Sequence, residues 1–277
     1  MATRIKFGIF APQGWKMDLE EIEEPVAQFE AMTNVARAAD ASNFDSVWVY
    51  DHFHTVPEPV LETTFEAWTV TAALARETTR VNLGQMTSCN GFRNPALYAK
   101  IASTVDVASH GRLFAGLGAG WYKHEWEAYG YDFPPTPVRM AMFKEAVEII
   151  YKMWHEPRPR FDGKHYRIDG PINEPKGAGG RAPSFWIAGG GEQVTLKLVA
   201  QYGDACNIGR DAETVKRKLD VLRRHCDALG RDYDRIIKSA EVDALITKPN
   251  ATAAEKAAAG SATRFPQWTI AGSPDEI

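Results

Sequence analysis

A chain of 277 residues that is 44% hydrophobic and 25% charged suits one large α/β domain with a sizeable core. A net charge of −4 without a basic tail or stripe argues against nucleic acid as a partner, and no stretch approaches the roughly 20 apolar residues of a membrane span. Cys89, Cys206 and Cys226 are odd in number and make no CxxC pair, so neither a disulfide framework nor a zinc site is expected. The opening MATRIKFGIFAPQ lacks the apolar run of a signal peptide, and the expected compartment is the reducing cytoplasm.

Short apolar runs alternate with segments of helical period. Lys6–Phe10 reads as a strand, and Pro25–Ala41 as a helix with Val26, Phe29, Thr33, Ala36 and Ala39 on one face. Ser46–Tyr50 (SVWVY) is rich in β-formers, and Glu66–Glu77 follows as a helix. Val81–Met86 precedes Asn94-Pro95, where Asn caps and Pro takes the first helical position. That helix carries Leu97, Ile101, Val105 and Ala108, and ends at Gly111. Leu113–Leu117 is the fourth strand. Thr136-Pro137 opens a helix bearing Met140, Phe143, Val147, Ile150 and Trp154, which Pro157 stops.

Residues 156–183 break the rhythm. Rich in Gly, Pro and Arg, they read as an irregular insertion in a single domain spanning residues 1–277. Phe185–Ala188 restores the alternation and is followed by a helix ending at Gly203. Asp204–Ile208 precedes a helix capped by Asp211 and closed by Gly230, and Ile236–Ile246 contains the seventh strand.

Alternating units with continuous apolar strands predict a parallel sheet covered by helices. Seven units without a reversal favour a (β/α)8 TIM barrel over an open doubly wound sheet. Such a barrel needs eight strands. After strand seven comes Gly272-Ser273-Pro274-Asp275-Glu276, which reads as a helix start, so the expectation is a barrel truncated before its eighth unit.

In a parallel barrel the chemistry sits at the carboxyl ends of the strands. Strand two ends in Asp51-His52. There the His serves either as an acid–base group near neutral pH or as a satisfied, partly buried residue beside a capping Asp. His52 and His54 form an HxH pair, but strands five and six end in Gly and Asn and offer no further histidine, so no metal site is expected. Gly116-Leu117-Gly118-Ala119-Gly120 has Trp121 where a dinucleotide fingerprint needs its last Gly. These glycines allow either tight backbone packing or close approach of a flat ring. Gly189-Gly190-Gly191 leads into a helix, and is either an anion site made of amides or a flexible turn. Arg210 either supplements that site or is solvated. Trp121 and Tyr122 can wall a pocket, and Glu125 is read as a helix-cap carboxylate ahead of a proton donor.

Taken in order, FDSVWVYDHF (44–53), FRNPALYAKIASTVDVASHGRLFAGLGAGWYKHEW (92–126), AYGYDFPP (128–135), WIAGGGEQVTLKLVAQYGDACNI (186–208) and the final GSPDEI resemble the luciferase-like monooxygenase superfamily. Within it, the resemblance is to oxidoreductases that use the deazaflavin coenzyme F420, with a barrel of the bacterial-luciferase type. It implies that Asp51 and His52 face the deazaflavin ring, with His52 transferring a proton. It further implies a non-proline cis peptide at Met86–Thr87 behind the ring, Gly118, Ala119 and Gly120 along it, and Gly189, Gly190 and Gly191 on the cofactor phosphate, with Asn207 at the adjoining strand end. Two positions depart from the sugar-phosphate dehydrogenases of this branch. Val56 stands where they carry Trp, and Trp121 where they carry Glu.

The function expected is hydride transfer between F420 and a small organic substrate. The alternatives are an FMN-dependent monooxygenase using reduced flavin and O2, and a non-catalytic flavin-binding protein. The resemblance also implies a homodimer.

Overall fold

The computed structural model describes residues 4–209, 211–263 and 269–276. Its elements run β1 (Gly8–Phe10), α1 (Pro25–Ala41), β2 (Ser46–Val49), α2 (Ala67–Glu77), β3 (Asn82–Gln85), β4 (Ser88–Cys89), α3 (Pro95–Ala108), β5 (Leu113–Gly118), α4 (Lys123–Ala128) and α5 (Thr136–His155). They continue with β6 (Arg160–Asp162), β7 (Arg167–Asp169), β8 (Ser184–Ala188), α6 (Thr195–Tyr202), β9 (Ala205–Asn207), α7 (Ala212–Leu229), β10 (Ile237–Ser239), β11 (Asp243–Ile246), α8 (Ala253–Ser261) and β12 (Thr269–Gly272).

Capping chemistry explains why the helices begin and end where they do. Asn94 accepts from the Ala96 amide, Asp211 from Thr214, and Glu66 from Trp68 and Thr69, each satisfying donors that a first helical turn leaves open. Gly230 ends α7 in the left-handed region that glycine enters freely.

The sheet runs β1-β2-β3-β5-β8-β9-β10, every neighbouring pair parallel and in chain order. It curls as in a barrel, with seven parallel strands on this path among the described residues. Strand three is interrupted. A cis peptide joins Met86 to Thr87, and β4 resumes pairing with β5 at Ser88↔Leu117 and Cys89↔Gly118. The expected seventh strand divides into β10, inside the sheet, and β11, which pairs with β12 in a separate parallel ribbon. The periodicity argument assigns neither β12 nor α8. Ser273-Pro274-Asp275-Glu276 forms a turn in which Glu276 accepts from the Ser273 amide and hydroxyl, the bonding of a helix start. Between residues 156 and 183 the chain is more regular than expected, because β6 and β7 form an antiparallel hairpin.

Two apolar layers clothe the outer face. One packs α3, α5, α6 and α7 on β5, β8 and β9 through Phe143, Ile150, Phe185, Ile187 and Leu222. The other packs α1 and α2 on β2 and β3 through Met32, Val47, Leu74 and Leu83. Inside the curl, Trp48, Phe114 and Trp186 fill the floor with ring centroids 4.7–5.7 Å apart. Gly84 is required beside them, because a Cβ there would lie 2.6 Å from the Trp48 ring and 2.7 Å from the Phe114 carbonyl.

Arg112 ties the other end of the strands together. It donates to the carbonyls of Ala75, Thr78, Val81 and Ser109 and to the Thr78 hydroxyl, covering the last carbonyls of α2 and the turn after α3. Replacing Arg112 by Met removes all five bonds and is expected to lower stability by on the order of 2 kcal/mol. Urea unfolding should show the midpoint fall at constant slope. Arg112→Lys should recover little, since an ammonium lacks the planar fork.

Candidate active site at the carboxyl edge of the sheet

The parallel register brings the ends of β1, β2, β3, β5, β8 and β9 to one edge. From the end of β1, buried Gln13 accepts from the Tyr50 amide (2.8 Å) and donates to the Phe65 carbonyl, joining the first two strand ends to the approach of α2.

Asp51 is buried. Its Oδ2 accepts from the Cys89 amide (2.8 Å) and from Arg93 (2.6 Å), and its Oδ1 from the other arm of the Arg93 guanidinium (3.0 Å). Arg93 also reaches Glu66 (2.5 Å), the cap of α2. The Asp51 carboxylate is therefore spent on the resumed strand β4 and a fork-shaped ion pair. Burial opposes the charge on Arg93, but the Asp51 and Glu66 carboxylates outweigh it and hold the guanidinium above its ordinary range. Burial likewise opposes Glu66, yet the Thr69 and Trp68 amides and Arg93 hold it below the usual carboxyl value. Burial, aided by Asp51, keeps the Cys89 thiol protonated far above its ordinary range.

His52 is partly exposed and sits in a nest of rings. Trp15 lies parallel to it at 4.3 Å, while Trp121 and Tyr122 present their rings obliquely at 5.8 and 5.9 Å. Trp15 in turn meets Tyr50 at a tilt (4.2 Å), and Tyr50 stacks on Phe10 (4.2 Å). Glu125, buried in α4, lies 2.7 Å from His52 Nδ1 and accepts from the Phe53 and His54 amides at 2.7 and 2.9 Å. Its carboxylate thus holds the 52–54 loop rather than capping its own helix. His54 meets His124 at 3.0 Å, and no group of three metal-binding side chains occurs among the described residues.

Farther along the edge, tight packing accounts for the glycines at the end of β5. A Cβ on Gly118 would meet Thr87 Oγ1 at 2.4 Å, and one on Gly120, whose φ is +79°, would meet Cys89 Sγ at 2.5 Å. Ala119 is half-buried between them. Met86 packs on Trp48 and Trp186, and the cis bond falls at Met86–Thr87, where the resemblance places it. Ser88 Oγ is buried without a protein partner. Gly189 donates to the Asn207 carbonyl, and the Asn207 amide group donates to Ser239. Helix α6 starts at Thr195, not directly after Gly191, because residues 192–194 first make a turn. Lys218 donates to the Gly190 carbonyl and pairs with Glu192. Arg210 lies outside the described residues.

The arrangement thus joins Asp51, His52, Met86, Thr87 and Gly118–Gly120 on adjoining strand ends, with Gly189–Gly191 and Asn207 on the next two. Sequence reasoning missed the anchoring by Gln13, Trp15 and Arg93 and the tie from Glu125 to His52. An acidic residue one turn into a short helix after a strand end was the only signal for the last.

The family model described as luciferase-like monooxygenase matches residues 5–273. Similar proteins include the F420-dependent glucose-6-phosphate dehydrogenases of Kineococcus radiotolerans (30% identical over 234 residues, 81% of this chain and 66% of that one) and Mycobacterium avium (33% over 218 residues, 76% and 63%). The chain thus spans just under two thirds of the length of these relatives. Among solved structures, an F420-dependent secondary alcohol dehydrogenase bound to an F420–acetone adduct superposes with a TM-score of 0.72 at 22% identity, over 90% of this chain and 71% of that one. A monooxygenase from Streptomyces bottropensis superposes with a TM-score of 0.76 at 22% identity, over 98% and 86%.

Arg93→Met strands Asp51 without its counter-ion and should cost about 3–5 kcal/mol, read from thermal or urea unfolding. Adding Asp51→Asn should restore part of that loss. Glu66, depressed in the folded state, contributes stability that is complete above its ordinary value of 4.5 and is lost as pH falls through its lower folded value. Stability measured against pH should therefore fall less steeply below 4.5 in Glu66→Gln than in the wild type.

Proposed function

Because this chain belongs to the luciferase-like monooxygenase family, we propose that it is an oxidoreductase that holds coenzyme F420 along the carboxyl edge of its sheet and serves hydride transfer to or from a small organic molecule. The observation that carries this reading is His52: a partly exposed imidazole at the end of β2, stacked on Trp15 and tied at one nitrogen to buried Glu125. A group so held can move a proton at its other nitrogen while its position stays fixed. The F420-dependent names of the relatives support the choice of cofactor.

The residues present fit a flat ring with a phosphate tail. Gly118 and Gly120 let the β5 end lie close against Thr87 and Cys89, next to the Met86–Thr87 peptide, and Ser88 Oγ is a buried polar atom without a protein partner. In this reading Met86, Thr87, Gly118, Ala119 and Gly120 bound the ring, while Gly190 and Gly191 hold the tail through backbone amides and Asn207 through its second amide hydrogen; Gly189, whose N–H is given to the Asn207 carbonyl, shapes the turn. Asp51 acts at one remove, fixing the Cys89 amide and hence the bulge beneath the ring. When bound, the deazaflavin supplies the hydride chemistry. His52 supplies or takes the accompanying proton. Trp121, 58% exposed, and Tyr122 form an aromatic wall over the substrate side. With Trp121 and Val56 at positions where the sugar-phosphate dehydrogenases carry Glu and Trp, the substrate proposed is not glucose 6-phosphate.

A flavin reading shares the same ring-and-phosphate logic, and the likeness in fold to a monooxygenase favours keeping it as the alternative. Calorimetric titration with F420 and with FMN separates the two. Tight binding of F420 with weak FMN binding is expected, and the reverse would overturn the F420 assignment. His52→Ala should lower turnover by about 10²- to 10⁴-fold, the usual contribution of a positioned acid–base group.

A further inference from the structure

We propose that Glu125 decides which nitrogen of His52 does the chemistry. It is a positioning residue that holds the neutral imidazole as its Nδ1–H tautomer and so presents Nε2 as the proton-transfer atom. The inference rests on the reading of His52 given above.

The two oxygens of Glu125 have separate tasks. Oε1 accepts from the backbone amides of Phe53 (2.7 Å) and His54 (2.9 Å), fixing the loop. Oε2 lies 2.7 Å from His52 Nδ1. An ionised carboxylate can only accept, so the proton in that bond belongs to Nδ1, and the lone pair of the neutral ring is left on Nε2. A half-turn of the ring about Cβ–Cγ would keep the plane it shares with Trp15 but put Cδ2 in place of Nδ1 against Glu125 and lose the 2.7 Å contact. Among the described residues, Glu125 and Tyr122 are titratable groups that face the imidazole, and Lys16 lies behind the Trp15 ring. Trp15 thus sets the plane of the ring and Glu125 sets its tautomer.

The division of tasks supplies a test. In Glu125→Gln the side-chain oxygen must stay with the two backbone amides, because an NH2 group cannot accept from them. The NH2 then points at Nδ1, which must accept, and the ring proton moves to Nε2. The loop contact survives while the tautomer inverts. The full chain, labelled with ¹⁵N at its seven histidines, would be studied by two-bond ¹H–¹⁵N correlation at a pH where the ring is neutral, with His52 assigned by its loss in His52→Ala.

The expected result is Nδ1–H in the wild type and Nε2–H in Glu125→Gln. The melting temperature should barely move, and kcat should fall by about 10²- to 10⁴-fold, the scale of a wrong-tautomer histidine, with little change in KM. A wild-type ring protonated at Nε2, or a Gln variant that keeps Nδ1–H, overturns the proposal. The wild-type spectrum decides the assignment even if the variant does not fold. If the tautomer inverts but both Glu125→Gln and His52→Ala turn over like the wild type, the role of His52 as proton-transfer residue falls while the tautomer assignment stands.

Discussion

The buried pair of Asp51 and Arg93 is the constraint on which the site depends. Asp51 ends β2, and its carboxylate is removed from water. A charge so placed is tolerated only with a counter-ion and further hydrogen bonds. Arg93 supplies the charge in a two-pronged contact, and the Cys89 amide supplies the additional bond. Because Cys89 lies just past the Met86–Thr87 peptide, the pair locks the interrupted third strand to the second. Because Arg93 also meets Glu66, the same charge network reaches the start of α2.

A second buried carboxylate works one residue farther out. Glu125 comes from α4, beyond β5, and reaches back across the third strand to gather residues 52–54. The two acids divide the β2 end between them: Asp51 fastens it below to the sheet, and Glu125 fastens it above to the next layer. His52, lying between these anchors and against Trp15, is thereby placed without being enclosed. The glycines at the end of β5 serve the same end by a different means, since any side chain at Gly118 or Gly120 would collide with Thr87 or Cys89.

The floor of the curl explains why the interior offers no polar pocket and the proposed site is at the strand ends. Trp48, Phe114 and Trp186 fill the interior, so the sheet encloses packed rings rather than a channel. Polar groups are then displaced to the strand ends, where the amides after β8 and the imidazole after β2 remain near solvent. Arg112 performs the complementary task at the opposite edge, covering helix-terminal carbonyls.

The alternation of strand and helix was legible along most of the chain, because caps such as Asn94 and Asp211 and stripes such as Phe143-Val147-Ile150 are local signals set by backbone geometry. The strand-end positions followed from that alternation, and with them Asp51, His52 and the glycine turns. What local patterning could not show was partnership. Asp51 reads as a site acid in sequence, and only the fold reveals that its oxygens belong to Arg93 and Cys89. Glu125 reads as a helix-start acid, yet it serves a loop more than 70 residues earlier. Division of the seventh strand into β10 and β11, and pairing of β11 with β12, also depend on contacts that periodicity does not encode. Composition and periodicity by themselves determined most of the elements, their order and the edge at which a site is expected. The tertiary structure alone decided which charges pair and which imidazole nitrogen is held, because those follow from distances between residues that the chain brings together only when the sheet curls around its core.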